Sequence, residues 1–222
     1  MTRNPPMPDT DLPKIWYTKM LSTDAGLVSF KMSCAGGRDA RIRYQMAHKG
    51  LRSVDADDVP EFLYYLLDRK INPARADVFL SADGLIVVSP RVRDILVQFD
   101  LGKTRLFEVP IYKSEQKEPT NYPPHYLLHV MEHKDTVLVD ASENVRQLVV
   151  GGEDRPRPGA HWESYYNKDD LAVRASSAEG VDIWGDPNFH YRVFFSDRLK
   201  RAIDAAKIRT TALKFFGAKV RA

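Results

Sequence analysis

The sequence predicts an α+β fold, a largely antiparallel sheet with about three main helices and two related strand–helix–strand units. Three observations predict it. The first is the run Arg192 to Phe195, β-branched and aromatic, followed by Ser196 and by Leu199, Ala202, Ile203 and Ala206 at spacings of three and four. After Lys207 the chain returns to aromatic and β-branched residues ending near Val220, so a strand, a helix and a strand follow one another. The second is recurrence: Val88-Ser89-Pro90-Arg91-Val92-Arg93 lies over Phe195-Ser196-Asp197-Arg198-Leu199-Lys200 at a constant offset of 107 positions. Ser89 and Ser196, Arg91 and Arg198, Thr104 and Thr211, and Leu106 and Leu213 are identical pairs, and Leu96 stands over Ile203. Both copies place a hydroxyl at the helix N-cap, a cation in the first turn, an apolar face behind it and a strand after it. The third is turn chemistry, with Ala82-Asp83-Gly84 set between two apolar runs as in a hairpin.

Taken in order, Met1 to Pro13 carries four prolines among polar residues, which predicts an extended N-terminal arm over 1–13. Residues 14–222 form an α+β domain, either single or as two packed halves divided near 151–160. Lys14 to Thr18, Leu27 to Met32 and the alternating Arg41-Ile-Arg-Tyr-Gln-Met read as opening strands. Between them Ala35-Gly-Gly-Arg-Asp39 reads as a hairpin or loop, because no Gly-Lys-Ser/Thr follows to make a phosphate cradle. Asp55, Asp57 and Asp58 precede a helix expected near 60–70, where solvated carboxylates complement its positive end. Two further helices are expected near 90–99 and 197–207.

Past the strand ending at Val109, the segment Tyr112 to Pro124 reads as a polar surface excursion. Asp135 to Ala141 is expected as a strand, Arg146 to Val150 as a shorter one, and Gly151 to Gly159 as an extended connection. Trp162, Tyr165 and Tyr166 fit either an interface or the edge of the core.

His125, His129 and His133 recur at intervals of four. With Glu132 or Cys34 they suggest a zinc site. A strand, however, separates residues four apart by about 13 Å, too far for one ion to join three imidazoles. On a helix the three would line one stripe and on a strand one face; no metal and no cofactor are expected.

Bulk properties narrow the function. Lys and Arg number 33 and Asp and Glu 30, a net charge of +3 over 222 residues, with a pI of 8.9. So slight an imbalance does not argue for nucleic acid. The basic tail Lys214 to Arg221 alternates cations with Phe215, Phe216 and Val220, as a terminal strand does. No run of eighteen apolar residues could span a bilayer, and the N-terminus lacks the apolar core of a secretory signal. The single cysteine, Cys34, suits a reducing compartment, so the expected location is the cytoplasm.

The blocks Leu85-Ile-Val-Val-Ser-Pro-Arg-Val-Arg-Asp-Ile-Leu96, Thr104-Arg-Leu-Phe-Glu-Val-Pro110, Tyr126-Leu-Leu-His-Val130 and Val137-Leu-Val-Asp-Ala-Ser142 resemble a family of bacterial immunity proteins from polymorphic-toxin systems. Asp182-Ile-Trp184 and Val193-Phe-Phe-Ser-Asp-Arg-Leu-Lys200 continue the resemblance in the same order, over about residues 60–220. It implies a protein that binds and neutralises a cognate toxin and has no catalysis of its own, and it implies a strand at His125 to His133 with the histidines on its polar face. Within that expectation Asp182, Trp184 and Asp186 have two readings. They form an acidic and aromatic contact face for the toxin, or Trp184 packs in the core while the aspartates make turns. Arg91 and Arg198 tie each helix start to a carboxylate or carbonyl; the alternative is an anion site at Ser89 and Arg91 and at Ser196 and Arg198. The competing function is an enzyme or metal-binding protein with a dispersed site, although no nucleophile motif or phosphate loop is present. The sequence specifies neither the toxin nor an oligomeric state.

Overall fold

A computed structural model of the chain describes residues 12–19, 27–28, 30–65, 76–147, 162–164, 170–210 and 213–222. The elements are β1 (Ile15–Thr18), β2 (Leu27–Val28), β3 (Phe30–Ser33), α1 (Gly37–Lys49), β4 (Phe62–Tyr65), β5 (Val78–Ser81) and β6 (Ile86–Val88). Next come α2 (Pro90–Leu96), β7 (Arg105–Val109), β8 (Ile111–Tyr112), β9 (His125–His129), β10 (Val145–Gln147) and β11 (Trp162–Ser164). The last third holds β12 (Ala172–Arg174), β13 (Ile183–Asp186), β14 (Phe189–Ser196), α3 (Asp197–Ala205), β15 (Phe215–Gly217) and β16 (Lys219–Arg221). This is an α+β fold of largely antiparallel sheets.

The two units expected from the sequence are present and share one strand order. In the first, hairpin β5–β6 leads into α2, and β7 lies two places along from β6 with β9 between them, in the order β5-β6-β9-β7. In the second, hairpin β13–β14 leads into α3, and β15 lies two places along from β14 with β1 between them. Both inserted strands run antiparallel to their two neighbours. The registers agree as well: Leu127 sits between Val87 and Phe107, and Tyr17 sits between Phe194 and Phe216. Phe194 is the residue 107 positions beyond Val87. The strand filling the gap comes from after the first unit but from the opposite end of the chain in the second.

Alternation along the paired strands divides the core into three. Ile86 and Val88, with Val193 and Phe195, point into a shared cluster that also holds Val92 and Leu96 of α2 and Leu199 and Ile203 of α3. Val87 points the other way, toward Phe30, Tyr44, Phe79 and Leu127 under α1. Phe194 points toward Tyr17, Trp184 and Phe189. Strands buried on both faces must read as unbroken apolar runs, as Leu85 to Val88 and Val193 to Phe195 do.

Four expectations fail. Arg41 to Met46 is not a strand but the middle of α1. Its cation–apolar alternation hid a second spacing, Ala40, Tyr44 and His48, which is the buried face of a helix. The Gly36-Gly37 turn opens that helix, Gly37 having a φ of 65°. The helix expected near 60–70 is strand β4 over Phe62–Tyr65, paired with β3 and β8; 66–70 lie outside the described residues. Aromatic strand propensity and two-sided pairing outweighed the helix-start signal at Pro60. Asp58, expected in solvent, is buried and gripped by Arg43 through bonds of 2.8 and 2.6 Å, which hold its carboxyl below the usual carboxylate range. Finally, Asp135 to Ala141 is no strand. Thr136 and Val137 give their N–H groups to Asp186 at 2.9 and 2.7 Å instead of to a ladder, and Val139–Ala141 closes as a 3-10 turn.

Trp162 lies at the edge of the third cluster, while Tyr165 and Tyr166, the connection 151–159 and residues 1–11 of the arm fall outside the described residues.

Candidate functional site

Five of the residues singled out by the sequence, Ser89, Arg91, Asp182, Ser196 and Arg198, gather around the starts of α2 and α3, while Trp184 and Asp186 lie farther along β13 against Thr136 and Val137. At each, a serine cap, an aspartate and the far end of the opposite unit interlock. Ser196 caps α3 by accepting from Leu199 N–H at 3.2 Å. Its hydroxyl donates to Asp182 Oδ1 at 2.5 Å, and Arg198 closes on the same carboxylate through Nε at 2.5 Å and Nη2 at 2.7 Å. The other oxygen, Oδ2, accepts from Asp100 N–H at 2.9 Å, in the turn after α2. Ser89 likewise caps α2, accepting from Val92 N–H at 3.4 Å, and donates to Asp77 Oδ1 at 3.1 Å. Asp77 Oδ2 accepts from Arg209 N–H at 2.7 Å, in the turn after α3. Each unit's aspartate therefore holds the other unit's helix exit, a reciprocal exchange about an approximate two-fold.

The copies differ in their arginines. Arg198 binds its aspartate bidentately, whereas Arg91 stands 3.8 Å from Asp77 and donates to the Ala206 carbonyl at the end of α3. Both arginines thus tie helix starts to a carboxylate or a carbonyl. At Ser196 and Arg198 the place an external anion would take is filled by Asp182, and α2 is a helix of seven residues.

Asp182, Trp184 and Asp186 lie inside the protein, with exposures of 0%, 0% and 3%. Of the two readings, the structure has the one in which Trp184 packs in the core, and it leaves no exposed contact face at these three residues. Trp184 stacks on Phe194, with ring centroids 6.0 Å apart. Its indole N–H donates to Thr136 Oγ1 at 2.8 Å, and the Lys134 ammonium lies 3.8 Å over its ring. That ammonium also donates to the carbonyls of Ser177, Glu179 and Val181. Burial lowers the Lys134 pKa, and surrounding acids, Asp182 first among them, oppose the shift. Burial likewise raises the Asp186 pKa against the opposing pull of N–H groups from Val137, Asn188 and Thr136. Trp184 and Asp186 staple Thr136 and Val137 to the second unit.

The histidines were expected on a polar face, and His125 and His129 instead point from β9 into the core beneath α1, both buried. His129 meets His48 of α1, Nδ1 to Nδ1, at 3.3 Å. Ile86 N–H donates to His48 Nε2 at 3.3 Å, so a neutral His48 carries its proton on Nδ1 and gives it to His129 Nδ1. His129 then donates from Nε2 to the Arg52 carbonyl at 2.7 Å. The chain of bonds is complete with both rings neutral. Burial holds the His48 pKa down at about 3 and lowers those of His129 and His125. His133 is exposed beyond the strand. Cys34, at the foot of α1, is a free buried thiol pushed up to about 11 by desolvation. Among the described residues no three His, Cys, Asp or Glu side chains converge to hold a metal, and no helix is long and apolar enough to cross a membrane. His48 escaped the sequence reading because the helix carrying it was read as a strand.

Duplicated units locked by inward-facing polar clasps define a scaffold whose conspicuous side chains serve the fold. The model of the immunity protein family Imm11 matches residues 30–217, which takes in the whole of the first unit and nearly all of the second. The chain belongs to that family. No curated protein matches it in sequence.

Proposed function

We propose that this chain is an immunity protein that binds a cognate bacterial toxin directly, one to one, and neutralises it in the cytoplasm without catalysis of its own. The carrying observation is the family match over residues 30–217, a span that is the duplicated scaffold itself and not one appended motif. The polar chemistry supports the reading. The Ser89 and Ser196 hydroxyls are each committed to a carboxylate and a helix N–H, and His48 and His129 are committed to one another and to backbone. The partner is a protein, since the near-balanced charge suits neither nucleic acid nor an anionic membrane surface.

Co-expression tests this. The polypeptide encoded beside this chain, expressed alone in a susceptible cell, should arrest growth, and co-expression of this chain should restore it and yield a one-to-one complex on co-purification. Arrest without rescue or binding would remove the proposal.

A further inference from the structure

The solvent face of α1 has an unusual composition for a surface helix. Ala40, Tyr44 and His48 form its buried stripe. At about 3.6 residues per turn, Ile42 and Met46 fall on the opposite side, facing water and one turn apart. Met46 is 68% exposed and Ile42 44%. With Val97, they are the large hydrophobics left exposed among the described residues. Single exposed apolar residues need no explanation, but a stacked pair in the centre of a helix's outer face is a patch.

Charge surrounds the pair. Between Gly37 and Lys49 the helix carries Arg38, Arg41, Arg43 and Lys49 against the single acid Asp39. Its excess of three equals the net charge of the entire chain, +3, so the remainder is balanced. Arg43 is bound to Asp58. Among the described residues Arg38, Arg41, Lys49 and, just past the helix, Arg52 have no ion-pair partner. Cations unneutralised at home around an apolar centre match a partner with the inverse pattern, an apolar hollow rimmed by carboxylates.

We infer that the outer face of α1, centred on Ile42 and Met46 and ringed by Arg38, Lys49 and Arg52, is the surface that receives the toxin, and that the toxin presents an acidic rim around an apolar pocket. This rests on the immunity reading above. It moves the contact from the buried Asp182, Trp184 and Asp186 to the other end of the chain and reverses its sign. A second copy of this chain is a poor occupant, because an isologous contact would set Arg38 and Lys49 against like charges.

The test uses the full-length chain and, as probe, the purified polypeptide encoded beside it. Ile42→Asp/Met46→Asp should weaken binding at least about thirtyfold, as loss of a central anchor does. Arg38→Glu/Lys49→Glu should slow association and flatten its dependence on salt. Val97→Asp, at the end of α2, should change neither, and all three should keep the wild-type circular dichroism. Wild-type affinity in folded α1 variants overturns the surface and leaves the immunity reading standing. A wild-type chain that does not bind the probe overturns both. Self-association of the wild type that the α1 variants abolish would assign the face to a second copy and overturn the inference.

Discussion

Asp182 and Ser196 are joined twice: the Ser196 N–H donates to the Asp182 carbonyl at 3.0 Å, and the Ser196 hydroxyl donates to Asp182 Oδ1 at 2.5 Å. Ser89 makes the same two bonds to Asp77, at 2.8 and 3.1 Å. The second clasp carries the stronger load, because Asp182 is wholly buried and neutralised by a bidentate arginine. Asp182→Ala should cost about 2–5 kcal/mol, because the Ser196 hydroxyl and the Asp100 N–H lose their acceptor together with the Arg198 clamp. Asp77→Ala, whose cations stand 3.8 Å off, should cost about 1–3 kcal/mol. Urea unfolding of both variants measures the difference; an Asp77→Ala loss equal to or above that of Asp182→Ala would contradict the ranking.

Trp184 fills the third core cluster and holds Thr136. Trp184→Ala should therefore lose about 3–5 kcal/mol of stability, with toxin affinity unchanged at temperatures where the variant is folded. Thermal unfolding beside a binding titration separates the two. Lost affinity with unchanged stability would return Trp184 to the contact surface.

Leu51, with a φ of 54°, presses its side chain against Gly185. A Cβ at position 185 would overlap Leu51 Cδ1. Gly185→Ala should cost about 1–3 kcal/mol by overpacking, and in a Leu51→Ala background the same change should cost much less. A double-mutant cycle reads the coupling, and additive losses would contradict the contact.

The buried histidines make stability depend on pH in a stated direction. Their folded pKa values lie below the ordinary 6.5, that of His48 at about 3. Well above pH 6.5 neither state is protonated and the stability is fully present. Below it the unfolded chain takes up protons that the folded chain refuses, so stability falls as pH falls toward the folded value. Between pH 7 and 5 His48 alone should account for about 2 kcal/mol. Urea midpoints of the wild type should fall over that range more steeply than those of His48→Gln, and parallel curves would contradict the neutral pair.

Legibility followed the number of physical signals at each place. The twin units were readable because capping serines, helical spacing and flanking strands all agreed, and recurrence at a fixed offset supplied an independent check. The pairing of β1 with β14 and β15 was not, since no local pattern says which distant strand fills a gap between two parallel neighbours. Helix α1 was misread because Arg41 to Met46 satisfies two periods at once, and only packing against β9 decides between them. Asp182, Trp184 and Asp186 stay open between a contact face and the core, because their burial depends on Arg198, Thr136 and Lys134, all remote or unremarkable in sequence. The exposed pair on α1 was hidden behind the same mistake, because in a strand Ile42, Tyr44 and Met46 would share one face.

A substoichiometric mixture separates binding without catalysis from turnover. One-tenth of an equivalent of this chain is mixed with the polypeptide encoded beside it, and the products are weighed by native and denaturing mass spectrometry. A tenth of the toxin should be held in a one-to-one complex, and all of it should keep its original mass. Conversion of the whole sample to a mass-shifted, inactive toxin would show turnover and contradict binding without catalysis.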